Sequence, residues 1–271
     1  MARDEHVLVD LTRPTGWRGW VYHTAVNFAA ALGRVLLFWQ PIGTHNIPRT
    51  GPLLVVANHP SYLEPPTLVA LMIYYADRDL SIMAWDKLFR IPIVSFFTRN
   101  YKAFPVNRSN PGRGPYVTLV RILEQGGAAG VFPEGSRSEG RLMGDWKPGA
   151  LRAAFATKAT ILPISFVTVG EFWPKSRWRP WFFRKHIQVV HPPLTYERYI
   201  ADMPPGMREK EYQEVLERRI RDMINQPLLE RQRAWQQHVL EKSRSADRLD
   251  EPDPIRQRRE MLQAAAEALK S

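Results

Sequence analysis

Leu53-Leu54-Val55-Val56-Ala57-Asn58-His59-Pro60-Ser61-Tyr62-Leu63-Glu64-Pro65-Pro66 is the stretch on which the fold turns. Its first five residues are an unbroken apolar run behind Gly51-Pro52, the pattern of a strand buried on both faces. The run stops at polar residues, and a helical pattern then spans Pro66–Ala76. Working outward, Leu80–Ala84, Ala103–Val106, Ala128–Phe132, Ile161–Thr168 and Ile187–His191 read as further strands. Tyr116–Gln125 and Gly149–Lys158 read as helices between them. Strands alternating with helices predict an α/β fold, a mixed, largely buried sheet flanked by helices.

The flanks have a different texture. Trp17–Trp39 is the most apolar stretch, but Arg18, His23, Asn27 and Arg34 interrupt it, so it falls short of a spanning helix. Tryptophans at both ends suit an interfacial helix, and Ala25–Trp39 equally suits a buried one. Beyond Pro204-Pro205-Gly206, residues Met207–Asn225 and Leu228–Ala246 are helical in pattern, and a last helix spans Pro254–Leu269. Their interleaved charges mark a solvated face. The expected organisation is an N-terminal membrane-interface helix region (1–45), an α/β core (46–206) and a helical C-terminal extension (207–271).

Composition narrows the chemistry. The 271 residues are 44% apolar and 24% charged, which excludes wholesale disorder. No cysteine is present, so disulfide scaffolds, thiolate metal sites and cysteine nucleophiles are excluded, and a reducing setting fits. Met1-Ala2-Arg3-Asp4-Glu5 is too mixed in charge to open a signal peptide. Lys and Arg number 38 against 27 Asp and Glu, a net charge of +11. Part of that excess lies in 171–185, where basic and aromatic residues interleave around a single acid, Glu171. Such a segment suits an anionic bilayer surface, an acidic carrier protein or the phosphates of coenzyme A; buried aromatics with snorkelling arginines would explain it too. No recognition-helix or RNA-binding signature accompanies it, so nucleic acid is not an expected partner. The apolar residues of Asp86–Asn100 fit either core packing or a path for an acyl chain.

Four short motifs fall at strand or helix ends, where α/β folds place their sites. In Asn58–Glu64, Pro60 and Pro65 hold His59 and Glu64 out of the helical region, so both are expected on the loop ahead of a helix starting near Pro66. A carboxylate beside a neutral imidazole makes a general base. The alternative is a capping box between Ser61 and Glu64, with His59 merely bonding a carbonyl. In Val131–Ser138, Gly135 permits a turn whose N–H groups can cradle an anion, and Arg137 adds a planar fork; an ordinary polar turn is the alternative. Ser136 is in no nucleophile elbow. Ala103–Ser109 brings Arg108 to a strand end, and Trp146–Ala150 brings Lys147 just ahead of a helix N-terminus. Arg108, Arg137 and Lys147 could thus converge with His59.

The order Asn58-His59-x4-Glu64, Val106-Asn107-Arg108, Phe132–Ser138, Lys147-Pro148-Gly149-Ala150 and Leu162-Pro163-Ile164 resembles the glycerolipid acyltransferase family, the lysophosphatidic acid acyltransferases. The resemblance covers roughly residues 50 to 170, and Phe132–Ser138 is its most specific part. It implies acyl transfer from an acyl thioester, acyl-CoA or acyl carrier protein, to a hydroxyl of a lysophospholipid such as 1-acylglycerol 3-phosphate. His59 would be the general base and Glu64 its orienting acid. Arg108, Glu134, Gly135, Arg137 and Lys147 would form the acceptor phosphate site. Neither metal nor cofactor is implied, and the expected location is the cytoplasmic face of the cell membrane, peripheral or monotopic.

Two departures stand out. The family normally has Asp where this chain has Glu64, and the usual Gly opening the second motif is replaced in the region of Lys102 and Ala103. They keep open a glycerol 3-phosphate or glycolipid acceptor, and a catalytically silent lipid-binding protein on the same scaffold.

Overall fold

The computed structural model describes residues 38–91, 102–107, 112–137, 142–167 and 186–249, together with Thr24, Ala31, Ser95 and Thr98. Seven strands form one sheet within that range: β1 (Trp39–Ile42), β2 (Leu53–Ala57), β3 (Ser81–Trp85), β4 (Phe104–Val106), β5 (Ala128–Val131), β6 (Thr160–Phe166) and β7 (His186–Val190). Their spatial order is β1-β7-β6-β2-β5-β3-β4, and every pairing is parallel except β6 with β7. The helices are α1 (Glu64–Ala76), α2 (Gly114–Glu124), α3 (Gly149–Thr157), α4 (Tyr196–Ala201) and α5 (Glu209–Leu249). The α/β expectation with a mixed sheet is borne out.

The central strand shows why its sequence is uniformly apolar. Side chains alternate between faces along a strand, and both faces of β2 are covered. Leu53, Val55 and Ala57 pack with Leu68, Leu71 and Met72 of α1. Leu54 and Val56 pack in the opposite layer with Leu119, Ile122 and Leu123 of α2 and Ala154 and Phe155 of α3. All five β2 residues are fully buried. Parallel neighbours on both sides, with Val56 level with Val131 of β5 and Pro163 of β6, bring the loops after β2 and β5 to the same end of the sheet.

The helix after β2 begins at Glu64 rather than near Pro66. Pro65 and Pro66 fit inside its first turn, where no N–H has an intrahelical partner to lose. Glu64 is therefore a first-turn residue, and its carboxylate sits at the positive end of the helix dipole.

Two expectations about the flanks change. Trp39 closes the apolar N-terminal stretch as a buried strand residue, with its indole N–H donated to Gln188 Oε1 at 2.9 Å, not as an interfacial helix end. The charged segment after residue 207 forms one helix through Pro227, not two. Tyr212, Leu216, Ile220 and Ile224 recur every four residues and are buried in the layer that holds α2 and α3. The interleaved charges hid this stripe. The first compact unit runs to Leu228. The second unit, Leu229–Ser271, is helical through Leu249. Residues 1–23, the segment 171–185, most of 92–101 and the expected helix at 254–269 lie outside the described residues.

Candidate active site

Asn58 and His59 leave the end of β2 between two neighbours. Asn58 extends the ladder to β6 with its side chain: Nδ2 donates to the Phe166 carbonyl at 3.0 Å, and Oδ1 accepts the Phe166 N–H at 2.8 Å. On the β5 side the His59 ring stacks on Phe132, centroids 4.3 Å apart and planes 24° from parallel. His59 is thus held against the sheet from both flanks, and the residue is 8% exposed.

The Glu64 carboxylate is completely buried and heavily bonded. Oε2 lies 2.8 Å from His59 Nδ1 and accepts the Ser61 N–H at 2.7 Å; Oε1 accepts the Ser61 hydroxyl at 2.7 Å. The Ser61 Oγ in turn accepts the Leu63 N–H at 3.1 Å. The two readings of this loop coexist: the backbone N–H of Ser61 meets Glu64 as in a capping box, and the same carboxylate binds the imidazole. With Nδ1 committed to Glu64, Nε2 is the nitrogen available to take a proton.

Glu134 and Gly135 form the turn after β5. Glu134 Oε1 accepts the His59 N–H at 3.4 Å, and Oε2 accepts the Gly144 N–H at 3.1 Å. Burial pushes this carboxyl above its usual range, while the two backbone bonds and the adjacent His59 oppose the rise. Both oxygens therefore brace the loops around His59, and a carboxylate is in any case a poor neighbour for a phosphate. Gly135 has φ of 71°, left-handed and suited to glycine. A Cβ there would come within 2.7 Å of Lys147 Cε and 2.9 Å of its Nζ, so the lysine side chain lies directly across the turn. The Lys147 backbone N–H donates to the Pro133 carbonyl at 2.9 Å, which fixes that approach.

Arg137 follows the turn. Its guanidinium carbon lies 3.8 Å from the centroid of the Tyr62 ring, and Nη1 is buried without a hydrogen-bond partner among the described residues. The structure therefore brings His59, Glu64, Glu134, Gly135, Arg137 and Lys147 to one end of the sheet; Arg108 lies outside the described residues. A cavity of about 690 Å³ opens between α2, α3 and the start of α5, and Lys147 alone of these residues lines it. No group of acidic or histidine side chains among the described residues could hold a metal.

Residues 40–167 match the acyltransferase family. The chain is similar to that family over just under half of its length. It is 27% identical over 136 residues to a 1-acyl-sn-glycerol-3-phosphate acyltransferase of Borreliella burgdorferi, covering 49% of this chain and 53% of that one. It is 26% identical over 180 residues to the Bacillus subtilis protein of the same name, covering 66% and 85%. The chain spans about half the length of the Borreliella relative and 36% of the LPAT1 protein of Arabidopsis thaliana. The crystal structure of PlsC, the 1-acyl-sn-glycerophosphate acyltransferase of Thermotoga maritima, shares the fold with a TM-score of 0.59, over 79% of this chain and 80% of that one at 24% identity. The resemblance to the glycerolipid acyltransferases is thereby borne out.

Both departures of this chain from the pattern of that family have a structural counterpart. Glu64 reaches Nδ1 at 2.8 Å, so the extra methylene is absorbed by its place in the first turn of α1. Lys102 has φ of 53°, the left-handed region that glycine occupies without cost, and its ammonium pairs with Asp79 at 2.6 Å. That pair precedes β3 and β4, at the end of the sheet opposite His59. It leaves the rim of the site unchanged.

Motif spacing did not reveal the parts played by Phe132 and Tyr62. Tyr62 lies within the first motif but meets Arg137 only because β2 and β5 are neighbours.

Proposed function

We propose that the protein is a membrane-associated O-acyltransferase that moves a fatty acyl group from an acyl thioester to a hydroxyl of a lysophospholipid, with 1-acylglycerol 3-phosphate as the acceptor. The observation that carries this reading is the buried pair of His59 and Glu64, with Nδ1 held at 2.8 Å. Glu64 fixes the tautomer and stabilises the imidazolium. His59 Nε2 takes the hydroxyl proton as the oxygen attacks the thioester carbonyl. The tetrahedral oxyanion collapses, the C–S bond breaks, and the departing thiolate regains the proton from His59. Alcohol and thioester become ester and thiol, and no covalent enzyme intermediate or cofactor is involved. A base placed in this way contributes ~10²–10⁴-fold.

Arg137 and Lys147, beside the Gly135 turn, are the cations offered to the acceptor phosphate, with Arg108 the third member by resemblance. Glu134 acts as the brace for the His59 loop rather than as a phosphate ligand. The donor is acyl-CoA or acyl carrier protein, and the basic, aromatic segment 171–185 suits an anionic cytoplasmic membrane surface. No helix among the described residues is long and apolar enough to cross a membrane.

Thiol release from palmitoyl-CoA, with and without 1-acylglycerol 3-phosphate in mild detergent, tests the reading. Acceptor-dependent release is expected from the wild type and should be abolished in His59→Ala with the fold retained. Wild-type rates in that variant would remove His59 as the base. If the wild type releases no thiol with acyl-CoA or acyl carrier protein donors and a panel of lipid acceptors, the protein is no acyltransferase.

A further inference from the structure

We infer that Tyr62 is a positioning residue for the acceptor headgroup. Its ring holds the face of the Arg137 guanidinium and leaves an edge of the fork for a phosphate oxygen. This rests on the proposed reaction and adds the residue that makes it favour phosphorylated acceptors.

The stack at 3.8 Å is close enough to fix the plane of the cation. A guanidinium stacks by its face and keeps its N–H edges free, which a lysine ammonium cannot do. Nη1 is buried and has no partner among the described residues. A phosphomonoester oxygen, which accepts from a guanidinium N–H, is the class of ligand that fits such a donor.

The Tyr62 ring is not placed by the core, because the residue is 47% exposed. Its backbone lies between residues tied to the catalytic pair: the Ser61 N–H and hydroxyl bond Glu64, and the Leu63 N–H bonds Ser61. The bonds that set the position of His59 therefore also set the ring that orients Arg137. Headgroup and hydroxyl are read by one loop, which keeps the reacting oxygen in register with the base when the phosphate is held.

Rates with palmitoyl-CoA on 1-acylglycerol 3-phosphate and on phosphate-free monoacylglycerol, with equilibrium binding of 1-acylglycerol 3-phosphate in mild detergent, test this in wild type, Tyr62→Phe and Tyr62→Leu. Tyr62→Leu should raise KM and weaken binding for the phosphorylated acceptor about 5- to 20-fold, with less than about twofold change on the phosphate-free one. Tyr62→Phe keeps the aromatic face and should stay within about threefold of wild type. Equal losses on both acceptors, no loss in Tyr62→Leu, or equal damage in Tyr62→Phe and Tyr62→Leu would each overturn the assignment. If wild type turns over and Tyr62→Leu is unchanged, only this inference fails. If wild type binds the lysolipid, Tyr62→Leu weakens that binding and neither turns over, the proposed reaction fails and Tyr62 keeps its role. If wild type neither binds nor turns over, both fall.

Discussion

Two arginines, Arg78 buried and Arg137 half-buried, sit at opposite ends of the same sheet and are treated in opposite ways. Arg78, just after α1, has no acidic partner among the described residues, yet its guanidinium donates to the carbonyls of Pro48, Thr50, Gly51 and Gly126, the first three ahead of β2 and the last ahead of β5. Arg137, beyond the other end of β5, stacks on Tyr62 and leaves Nη1 without a partner among the described residues. A buried cation that holds the fold together is saturated with acceptors, as Arg78 is. Other side chains follow the same division. Lys102 and Asp79 pair at the Arg78 end, whereas His186 Nδ1 and Gln188 Nε2, at the His59 end of β6, are buried without partners among the described residues. The Ser81 hydroxyl, unpartnered at the start of β3, is the exception.

The largest effect should come from breaking the saturated end. Arg78→Met leaves carbonyls from three loop residues and Gly126 facing an apolar side chain, and should cost at least ~3 kcal/mol in urea unfolding. Arg137→Met removes an N–H with no partner among the described residues, so its stability should stay within ~1 kcal/mol while KM for a phosphorylated acceptor rises about tenfold. Equal destabilisation by the two changes would erase the distinction.

Acid should expose the unsaturated end next. Burial pulls the His186 imidazole down to about 3, so the folded protein keeps it neutral. Its Nε2 lies 3.3 Å from the Thr67 hydroxyl, which donates to the carbonyls of Leu63 and Glu64 in the first turn of α1. The unfolded chain gains a proton near pH 6.5 that the folded one refuses. The stability due to neutral His186 is therefore complete above pH 6.5 and falls with pH toward 3, by ~2 kcal/mol at pH 5. His191, also lowered by burial, acts with the same sign. Urea unfolding at pH 7 and pH 5 should show a smaller acid loss in His186→Gln than in wild type. The same loss in both would assign the acid limb to other groups.

The comparison also marks what the sequence could disclose. The β2 run and its polar stop located the site end of the sheet, because a strand buried on both faces must end in a loop that carries its polar residues outward. The pairing of His59 with Glu64 was within reach, since the two lie five residues apart in one motif. The contact of Tyr62 with Arg137 was not, since it depends on β2 and β5 being adjacent strands. The four carbonyls on Arg78 belong to chain segments that only the register of β2 and β5 draws together. Trp39 looked like the end of a helix because an apolar stretch does not reveal its period at its last residues, and the edge strand β1 is fixed by distant β7. The stripe of α5 was obscured by the charges between Tyr212, Leu216, Ile220 and Ile224.

A smaller effect is expected at Gly135. Ala at φ of 71° costs ~1 kcal/mol in backbone strain. The methyl group meets only the flexible end of Lys147, which can swing away. Gly135→Ala should therefore melt only a few degrees lower. Displacement of the ammonium should raise KM for the phosphorylated acceptor and spare the phosphate-free one, if Lys147 serves the headgroup.

The smallest change in composition falls on the pair itself. Glu64→Asp keeps the charge and shortens the reach by one methylene. The backbone cannot simply follow, because the Thr67 hydroxyl bonds the Leu63 and Glu64 carbonyls at 2.8 and 3.2 Å. A shorter carboxylate must then give up either His59 Nδ1 or the Ser61 bonds, and the ionic attraction to the imidazolium favours keeping His59. The loop around Ser61 and Tyr62 loosens instead. Stability should drop by ~1 kcal/mol or less, and kcat by about 3- to 10-fold. A drop beyond about 100-fold would mean that the longer side chain is required to reach Nδ1. The site end would then be as intolerant of a single methylene as the Arg78 end is of losing its donors.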